Sequence, residues 1–333
     1  MDATVISTRI RLARNIEGLP FPHKLKKSDA QDIIEKVSLA LSPTDRFIRY
    51  DMGGISQIEG TLLQEKHLIS PDLLSESPYG SVLISADENI SVMVNEEDHI
   101  REQVIMSGLS LDNAYDRVNR IDDILSKSIK FAYHPRFGYL TACATNLGTG
   151  MRASVMMFLP AITMCNMMQT CINEVGRQNM TVRGVYGEGS KSEGCLYQIS
   201  NQRTLGLSEK EIIAAVRSAI SRVMEVELTA REQLKRNEPE LKDKIYRAWG
   251  VATNAYKLAT GEAMQMLAMI RLGAYYGYIE IKNDEEFQKL ITNCQPANMQ
   301  WLSGKNMSVD ERDTMRARYL SDRLGELAAR TNK

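Results

Sequence analysis

The chain has 333 residues, and its 41 lysines and arginines against 42 aspartates and glutamates leave a formal net charge of −1. A near-neutral charge gives no electrostatic reason to expect a nucleic-acid-binding protein or a membrane-surface protein. Hydrophobic residues make up 43% and charged residues 25%, which is typical of a globular protein and excludes a disordered chain, a collagen or a coiled-coil rod. The length allows one large domain or two ordinary ones.

The sequence shows no signal for a membrane protein or a secreted protein. The apolar run Val155 to Met164 is about half the ~20 residues that a membrane-spanning helix needs. The N-terminal residues contain no apolar segment of the kind found in signal peptides. Five cysteines form no Cys-x-x-Cys pair, which favours reduced thiols, and the histidines have no metal-ligand spacing. We therefore predict a soluble, cytoplasmic protein without a protein-bound metal, binding neither nucleic acid nor membranes.

Short apolar runs separated by turn residues dominate the first two thirds of the chain. The predicted strands are Ser81–Ser85, Ile90–Val94, Gly138–Cys143, Val182–Tyr186 and Cys195–Ser200. The first two flank an Asp-Glu-Asn turn and the last two flank a loop rich in glycine and serine, so each pair is predicted to form a hairpin. Sequential hairpins favour an antiparallel sheet over a parallel, doubly wound one.

Helical spacing of apolar residues dominates the last third of the chain. Ser208 and Glu211 form a capping-box pattern, and apolar residues recur behind them at helical intervals. From Pro239 onward the pattern is almost wholly helical, with a final capped helix near Ser308. The predicted fold class is therefore α+β, an antiparallel sheet flanked by helices and followed by a C-terminal helical domain. The predicted division is 1–225 for the sheet domain and 226–333 for the helical domain.

Arginines stand out because they lie within apolar or glycine-rich motifs. Arg9 and Arg11 alternate on a predicted strand and therefore project to the same side. Arg101 follows an acidic cluster, Arg152 follows the run TNLGTG, and Arg183 begins the run RGVYGE. Guanidinium groups bind phosphate bidentately and stay charged, so several in one cleft would form a triphosphate clamp. The spacing alone leaves open whether they converge or form separate surface ion pairs.

Four sequence blocks carry a resemblance to the phosphagen (guanidino) kinases. They are EEDHIR at 96–101, CATNLGT at 143–149, RASV at 152–155 and RGVYGE at 183–188. The runs STRIRLARN at 7–15 and EKHLISP at 65–71 are similar to the protein arginine kinase branch of that superfamily. The run RDTMRA at 312–317 is similar to that branch's phosphoarginine-binding motif. Its two arginines, Arg312 and Arg316, are four residues apart, so they are expected to share a helix face and to grip one phosphate together.

The resemblance implies a kinase that transfers the γ-phosphoryl group of ATP to arginine side chains in proteins. Mg²⁺ would be held mainly by the phosphates and water, since this cation keeps much of its hydration shell. The implied partners are protein substrates with exposed arginines, a second copy of the chain in a homodimer, a zinc-binding activator protein and a Clp-type ATPase. The implied role is to mark proteins for degradation during stress.

The resemblance also implies roles for individual residues. The implied ATP-binding residues are Ser7, Thr8, Arg9, Ile10, Arg11, His67, Arg101, Arg152, Ala153, Ser154, Val155, Met156, Arg183, Gly184, Val185, Tyr186, Gly187 and Glu188. The implied catalytic residues are Glu97, Glu188, Asp98 and Cys143. The implied residues of an allosteric phosphoarginine site are Arg312, Asp313, Arg316 and Ala317.

The acceptor is a cation, so carboxylates must orient it. The pKa of arginine is at least ~12.5 and that of glutamate ~4.3, so a glutamate cannot remove the proton before the reaction. We expect Glu97 or Glu188 to align the guanidinium and to accept its proton as the N–P bond forms; the sequence does not separate the two. Asp98 is predicted to assist, and Cys143 to line the site.

Two other functions compete with this one. A kinase for free arginine or another small guanidino compound would resemble the chain only after an additional N-terminal helical domain, which this sequence does not show. A phosphoarginine-binding adaptor with weak catalysis would not need both a triphosphate clamp and an acid pair. Ala144 stands where the family usually has proline and Phe158 where histidine is common, and Ala144 is expected to loosen the loop that places Cys143.

Overall fold

A computed structural model describes residues 4–44, 46–185 and 192–331. Strands in these residues form one large sheet and two small ribbons. In chain order they are β1 (Val5–Arg14), β2 (Phe47–Asp51), β3 (Ser81–Ser85), β4 (Ile90–Val94), β5 (Ile100–Ser107), β6 (Tyr133–His134), β7 (Gly138–Tyr139), β8 (Met151–Phe158), β9 (Met180–Gly184), β10 (Leu196–Asn201), β11 (Ile279–Ile281) and β12 (Ala328–Arg330).

The helices flank the large sheet and fill the C-terminal third. They are α1 (Lys27–Leu41), α2 (Gln57–Glu65), α3 (Pro71–Glu76), α4 (Leu111–Ser126), α5 (Pro160–Met164), α6 (Met168–Gly176), α7 (Glu209–Lys235), α8 (Glu238–Asn254), α9 (Thr260–Tyr275), α10 (Asp284–Asn293), α11 (Pro296–Ser303) and α12 (Val309–Leu327). None of the helices in the described residues is both long enough and apolar enough to cross a membrane.

The large sheet has eight strands in the order β2-β3-β4-β5-β1-β8-β10-β9, and each neighbouring pair is antiparallel. This confirms the predicted antiparallel sheet. The β3–β4 hairpin has the predicted bounds, and the turn is stabilised by Asp87, whose carboxylate accepts hydrogen bonds from the Ser85 hydroxyl and the Asn89 amide. The β9–β10 hairpin also forms, with strand ends one or two residues from those predicted.

The alternation of β1 divides the sheet into two chemically different faces. Ile10 and Leu12 are fully buried, whereas Arg9 and Arg11, which alternate with them, are half-buried on the opposite face. The apolar face packs against α4 and α7, forming the main hydrophobic core. The other face is left to the arginines, because burying a charged group without a partner is costly.

The strand predicted for Gly138–Cys143 is shorter than expected. Pairing with β6 ends at Tyr139, and the residues that follow are held in part by side chains. The Asn15 amide donates to the Leu140 carbonyl over 3.0 Å, and the Ala142 amide donates to Asp98 over 2.7 Å. These contacts direct the segment toward the acidic turn between β4 and β5.

The C-terminal helices pack around a second core that includes Phe158 and Leu196 from the sheet. Phe158 lies two residues along β8 from Met156, which pairs with Ser7, so it lies on the same face of the sheet as Arg9 and Arg11. The C-terminal region therefore covers one end of that face. The capping box predicted at Ser208 forms, and the final helix is capped at Ser308 as predicted, also by a capping box. The predicted division between residues 225 and 226 falls inside α7, and it stays a proposal.

A buried ion pair links β1 to α4, a helix of the main hydrophobic core. The Arg14 guanidinium donates to both carboxylate oxygens of Asp122 over 2.8 and 3.0 Å, and it also donates to the Thr149 carbonyl. Its guanidinium lies 3.6 Å from the centre of the Tyr139 ring. Arg14 therefore joins the start of β8 to the centre of the sheet.

We predict that Asp122→Asn lowers the free energy of unfolding by about 3 kcal/mol, because removing one partner leaves a buried charge uncompensated. The neighbouring Asp123 is solvent-exposed, so Asp123→Asn is a matched control with an expected change within about 0.5 kcal/mol. Urea denaturation of both variants measures the effect. Equal stability of the two variants would contradict a structural role for the pair.

Candidate active site

The register of the sheet brings all five motif arginines to one face. Directly paired residues of antiparallel strands point to the same side, and Arg11 pairs with Arg152 while Ala13, two residues along, pairs with Arg101. Arg9 lies on this side with Arg11. Arg183 lies on the same side, because it pairs with Gln198, Gln198 pairs with Met156, and Met156 pairs with Ser7. The convergence that the sequence left open is therefore provided by the strand register. We call this surface the arginine face.

Burial and mutual repulsion lower the pKa values of three arginines on this face, Arg9, Arg11 and Arg152. Burial, followed by the charges of Arg11 and Arg152, lowers the pKa of Arg9 to about 9. Burial, with Arg11 and Arg183, lowers the pKa of Arg152 to about 10. The pKa of Arg11 is also lowered, by burial above all, although the carboxylates of residues 96–98 oppose the shift. An anion on the arginine face would relieve this repulsion.

Neutral side chains hold two of these guanidinium groups in place. Arg9 donates to the Gln198 side-chain oxygen over 2.9 Å, and Arg152 donates to the Ser200 hydroxyl over 2.8 and 3.2 Å. Within the described residues, neither arginine has a carboxylate within 4.0 Å. Their charges therefore remain available to a polyanion such as a triphosphate. Sequence reasoning missed Gln198 and Ser200, although two polar residues alternating on β10 were a signal that this side faces the cleft.

Arg101 has a different environment from Arg9 and Arg152. Its guanidinium forms an ion pair with Glu96, which is buried and also accepts a hydrogen bond from the Ser70 hydroxyl. Glu96 thus fixes Arg101 at the edge of the arginine face. Glu96 is engaged in structure and is not a free acid for catalysis.

The acidic turn of residues 95–99 connects β4 to β5 at the end of the arginine face. It begins with Asn95 in the left-handed region at a φ of 58°, a conformation that asparagine tolerates better than most residues. Asp98 is buried and accepts hydrogen bonds from the Asn15 amide over 2.6 Å and the Ala142 amide over 2.7 Å. Asp98 therefore joins this turn to the segment that carries Cys143.

Glu97, at the tip of this turn, is solvent-exposed. Partial burial, then the negative charges of Asp98 and Asp72, raise its pKa above the ordinary 4.5. The charge of Arg11 and a hydrogen bond from Cys143 oppose this shift. An accessible carboxylate with a raised pKa, close to an arginine cluster, is suited to orient a guanidinium and to accept its proton.

Cys143 lies beside Glu97, to which its thiol donates a hydrogen bond. Its thiol lies 3.0 Å from the Thr145 hydroxyl. The Thr141 hydroxyl donates to the Cys143 carbonyl over 2.8 Å. Ala144 begins a short 3-10 turn that ends at Asn146, so an ordered turn forms without the proline usual in the family.

His67 lies just past the end of α2 in the left-handed region, at a φ of 60°. Burial and the charge of Arg9 lower its pKa to about 4, so its imidazole is neutral at pH 7. Gln103 donates to the His67 carbonyl over 2.8 Å. Two residues earlier, Glu65 accepts hydrogen bonds from the first backbone amides of α11, which fixes this segment to the C-terminal region.

Some implied ATP-binding residues do not present their side chains to the arginine face. Ser7, Ser154 and Met156 are on it, but the side chains of Thr8, Ile10, Ala153 and Val155 are fully buried on the opposite face. Any contact from these four residues would therefore involve backbone atoms. Val185 is buried against the C-terminal core and Gly184 is half-buried. Tyr186, Gly187 and Glu188 lie outside the described residues.

The RDTMRA motif at 312–317 lies on α12 in the C-terminal region, and the structure corrects one expectation about it. Arg316 does not share an accessible face with Arg312, because it is 0% exposed. Its guanidinium donates to the carbonyls of Cys294 and Leu258, each over 2.7 Å, and to the Asp313 carboxylate over 2.5 Å. Arg312 and Asp313 remain partly accessible, whereas Ala317 is buried.

Two family models together match nearly the whole chain. The model described as "ATP:guanido phosphotransferase, C-terminal catalytic domain" matches residues 30–230, and the model described as "Protein-arginine kinase McsB C-terminal domain" matches residues 238–333. Two relatives are similar along their full length. The protein-arginine kinase of Caldanaerobacter subterraneus subsp. tengcongensis is 41% identical over 97% of each chain. That of Clostridium acetobutylicum is 41% identical over 96% of each chain.

Solved structures of guanidino kinases share the fold. The duplicated taurocyamine kinase from Schistosoma mansoni, with bound transition state analog components, is 31% identical at a TM-score of 0.60, covering 68% of this chain and 33% of that one. Lombricine kinase has a TM-score of 0.60 at 23% identity, covering 68% of this chain and 67% of its own, and shows the shared fold alone. With the arginine face, the family models and these relatives in agreement, the chain belongs to the ATP:guanido phosphotransferase family, in its protein-arginine kinase branch.

Proposed function

We propose that the chain uses ATP to phosphorylate arginine side chains in proteins, with the triphosphate bound on the arginine face and the acceptor guanidinium held by Glu97. The observation that carries this assignment is the order of groups along β1. Arg9 and Arg11 lie in the middle of the strand, and the turn with Glu97 lies beyond its end at Arg14. The arrangement places a polyanion clamp next to a carboxylate that can receive a cation.

The order of these groups along β1 suits phosphoryl transfer between two neighbouring subsites, one for the triphosphate and one for the acceptor guanidinium. Arg11 interacts electrostatically with both Arg183 and Glu97, so it lies between the arginine cluster and the acidic turn. A phosphoryl group bound near Arg11 would therefore be close to a guanidinium held by Glu97. Phosphoryl transfer depends mainly on such positioning and on neutralisation of charge.

In the proposed step an acceptor nitrogen of arginine forms a bond to the γ-phosphorus of ATP while the bond from that phosphorus to the β,γ-bridging oxygen breaks. The nitrogen loses a proton as the N–P bond forms, and a carboxylate receives it. Glu97 is the candidate within the described residues, and Glu188 remains the alternative. Asp98 keeps the turn in place through Asn15 and Ala142 and acts as a positioning residue.

Mg²⁺ is the expected companion of ATP. We expect its ligands to be phosphate oxygens and water, because Mg²⁺ dehydrates reluctantly and needs octahedral geometry. The half-buried guanidinium groups of Arg9 and Arg152, which have no carboxylate partner in the described residues, fit the negative charge that the nucleotide retains. Neutral His67 would contact the nucleotide by hydrogen bonding and not as a cation.

The RDTMRA motif on α12 supports a proposed phosphoarginine site with divided roles. Arg312 can grip the phosphate and Asp313 the guanidinium, because the two groups of phosphoarginine carry opposite charges. The buried Arg316 orients Asp313 through their direct hydrogen bond. This assignment replaces the expectation that Arg312 and Arg316 grip one phosphate together.

We predict that Arg312→Ala removes stimulation by free phosphoarginine and leaves the free energy of unfolding within about 0.5 kcal/mol of wild type. Arg316→Ala is expected to lower the free energy of unfolding by at least about 2 kcal/mol, since it leaves buried acceptors unpaired. Arg318 is exposed on the same helix, so Arg318→Ala is the control. Activity titrations with phosphoarginine and urea denaturation separate these roles. Normal stimulation of Arg312→Ala would contradict the assignment.

The wider role follows from the resemblance and is likewise proposed. The partners would be proteins with exposed arginines, a second copy of the chain, a zinc-binding activator protein and a Clp-type ATPase that degrades the marked proteins during stress. The location would be the cytoplasm. Light scattering tests the dimer directly, since a dimer would have a mass of twice 37.5 kDa.

The proposed substrate class is tested by supplying ATP with an arginine-rich, loosely folded protein and, in parallel, with free arginine. Products are mapped by mass spectrometry under conditions that preserve acid-labile N–P bonds. Phosphoarginine on the protein alone is the expected result. Phosphorylation of free arginine alone would assign the chain to small guanidino substrates, and binding of phosphoarginine without ATP turnover would indicate an adaptor.

A further inference from the structure

A cavity of about 840 Å³ lies where the arginine face meets the C-terminal helices. Its sheet side includes Ser7 and Met156, and His67 lies on the same side. Its helical side includes Arg271 from α9 and Gln288 and Thr292 from α10. The cavity is therefore shared by residues implied in ATP binding and by a region to which no nucleotide contact has been assigned.

Arg271 is the unusual member of this lining, because its charge is buried without adequate partners. Its side chain is 3% exposed and its guanidinium lies 5.4 Å from the centre of the Phe158 ring. Among the described residues, its Nε and Nη1 atoms have no hydrogen-bond acceptor. The Asp284 carboxylate is 3.8 Å from Nη2, beyond hydrogen-bonding distance, and accepts a hydrogen bond from Gln288 over 3.1 Å.

Unpaired buried donors are costly, so they are rare in folded proteins and call for an explanation. Arg271 faces a cavity large enough for part of a nucleotide. Nε and Nη1 are themselves buried, so an acceptor that enters this cavity would pair with them once the Arg271 side chain turns toward it. A guanidinium with two unused donors is therefore matched to a ligand that brings oxygen or nitrogen acceptors.

The position of the cavity along β1 identifies the part of the ligand that would fill it. Ser7 and Arg11 are four residues apart, which is about 13 Å along a strand. With the phosphates on Arg9 and Arg11, the rest of a nucleotide extends either toward Glu97 or toward Ser7. The Glu97 end must receive the acceptor arginine, so the nucleoside extends toward Ser7 and into the cavity.

We propose that α9 and α10 form the second wall of the nucleotide pocket and that Arg271 donates hydrogen bonds to the nucleoside part of ATP, to a base nitrogen or a ribose oxygen. The inference rests on the proposed function, because it takes the triphosphate to lie on the arginine face. It gives the C-terminal region a direct part in binding ATP. Phe158 supports this role, since its ring covers the Arg271 guanidinium where a histidine is common in the family.

The test compares two probes, ATP and inorganic tripolyphosphate, which lacks the base and the ribose. Binding of each to the full chain is measured by isothermal titration calorimetry. Arg271→Ala should weaken ATP binding at least about tenfold, because a hydrogen bond from a charged group is lost, and leave tripolyphosphate binding within twofold. Arg152→Ala should weaken both probes. Equal weakening of both probes by Arg271→Ala, or of neither, would overturn the proposal.

A second variant covers the case in which Arg271→Ala fails to fold. Thr292 lines the cavity from α10, so Thr292→Trp should fill it and weaken ATP binding at least tenfold without affecting tripolyphosphate. Thr229 is exposed on α7, and Thr229→Trp is the matched control. Unchanged ATP binding in Thr292→Trp would place the nucleoside elsewhere. If wild type binds neither probe, the proposed function itself fails, which is a different result.

Discussion

Replacing Glu97 with glutamine is expected to lower kcat for protein phosphorylation by about 10²–10⁴-fold, the usual contribution of a positioned general base. Glutamine keeps the size of the side chain but cannot accept the proton that leaves the guanidinium. The KM for ATP should change little, because the arginine face is intact. Steady-state kinetics with a fixed protein substrate measures both quantities.

The pH dependence of the same variant identifies the group. Glu97 must be ionised to act, and its pKa is raised above 4.5, so wild-type kcat/KM should fall as the pH drops through that raised value. This acidic limb should disappear or move in Glu97→Gln. Glu76 is exposed on α3, and Glu76→Gln is a control with unchanged kinetics. Wild-type kcat in Glu97→Gln would leave Glu188 as the base.

Replacing Arg152 with alanine is expected to weaken ATP binding about 10–150-fold, because charge-assisted hydrogen bonds to phosphate are lost. Arg152→Lys should recover part of this loss at most, since lysine cannot reproduce the bidentate guanidinium geometry. The difference in ATP affinity between Arg152→Ala and Arg152→Lys measures how much of the loss comes from guanidinium geometry and how much from charge. Calorimetric titration with ATP gives both affinities.

The control for Arg152→Ala is the same substitution at an exposed arginine that is not part of the arginine face. Arg177 is exposed just past the end of α6, and Arg177→Ala should bind ATP as wild type does. Because Arg9 and Arg152 repel each other, Arg152→Ala should also raise the pKa of Arg9. Equal affinity for ATP in Arg152→Ala and wild type would show that the triphosphate does not lie on this face.

The sequence predicted the local elements well because they depend on local patterns. Alternation predicted that Arg9 and Arg11 share a side, and turn residues predicted the β3–β4 hairpin. It could not predict that Arg101, Arg152 and Arg183 join them, because that depends on the pairing register of strands far apart in the chain. Recognition of family motifs supplied the expectation, and the register supplied the physical reason.

The C-terminal region shows the opposite case, in which a local pattern was misleading. A spacing of four residues on a helix predicted that Arg312 and Arg316 act together, but tertiary packing buries Arg316 against the backbone carbonyls of Leu258, before α9, and Cys294, between α10 and α11. Arg271 was not identified at all. A single charged residue in the mostly apolar segment Ala263–Ala274 was a signal, yet its meaning depends on the cavity beside it.

In the proposed complex, one face of the sheet holds ATP and the acceptor in a fixed order along β1. A crystal structure with a non-hydrolysable ATP analogue tests it most directly. We expect phosphate oxygens within hydrogen-bonding distance of Arg9, Arg11 and Arg152, with the γ-phosphoryl group nearest Glu97. An analogue bound away from the arginine face, or with its γ-phosphoryl group pointing away from Glu97, would contradict the account.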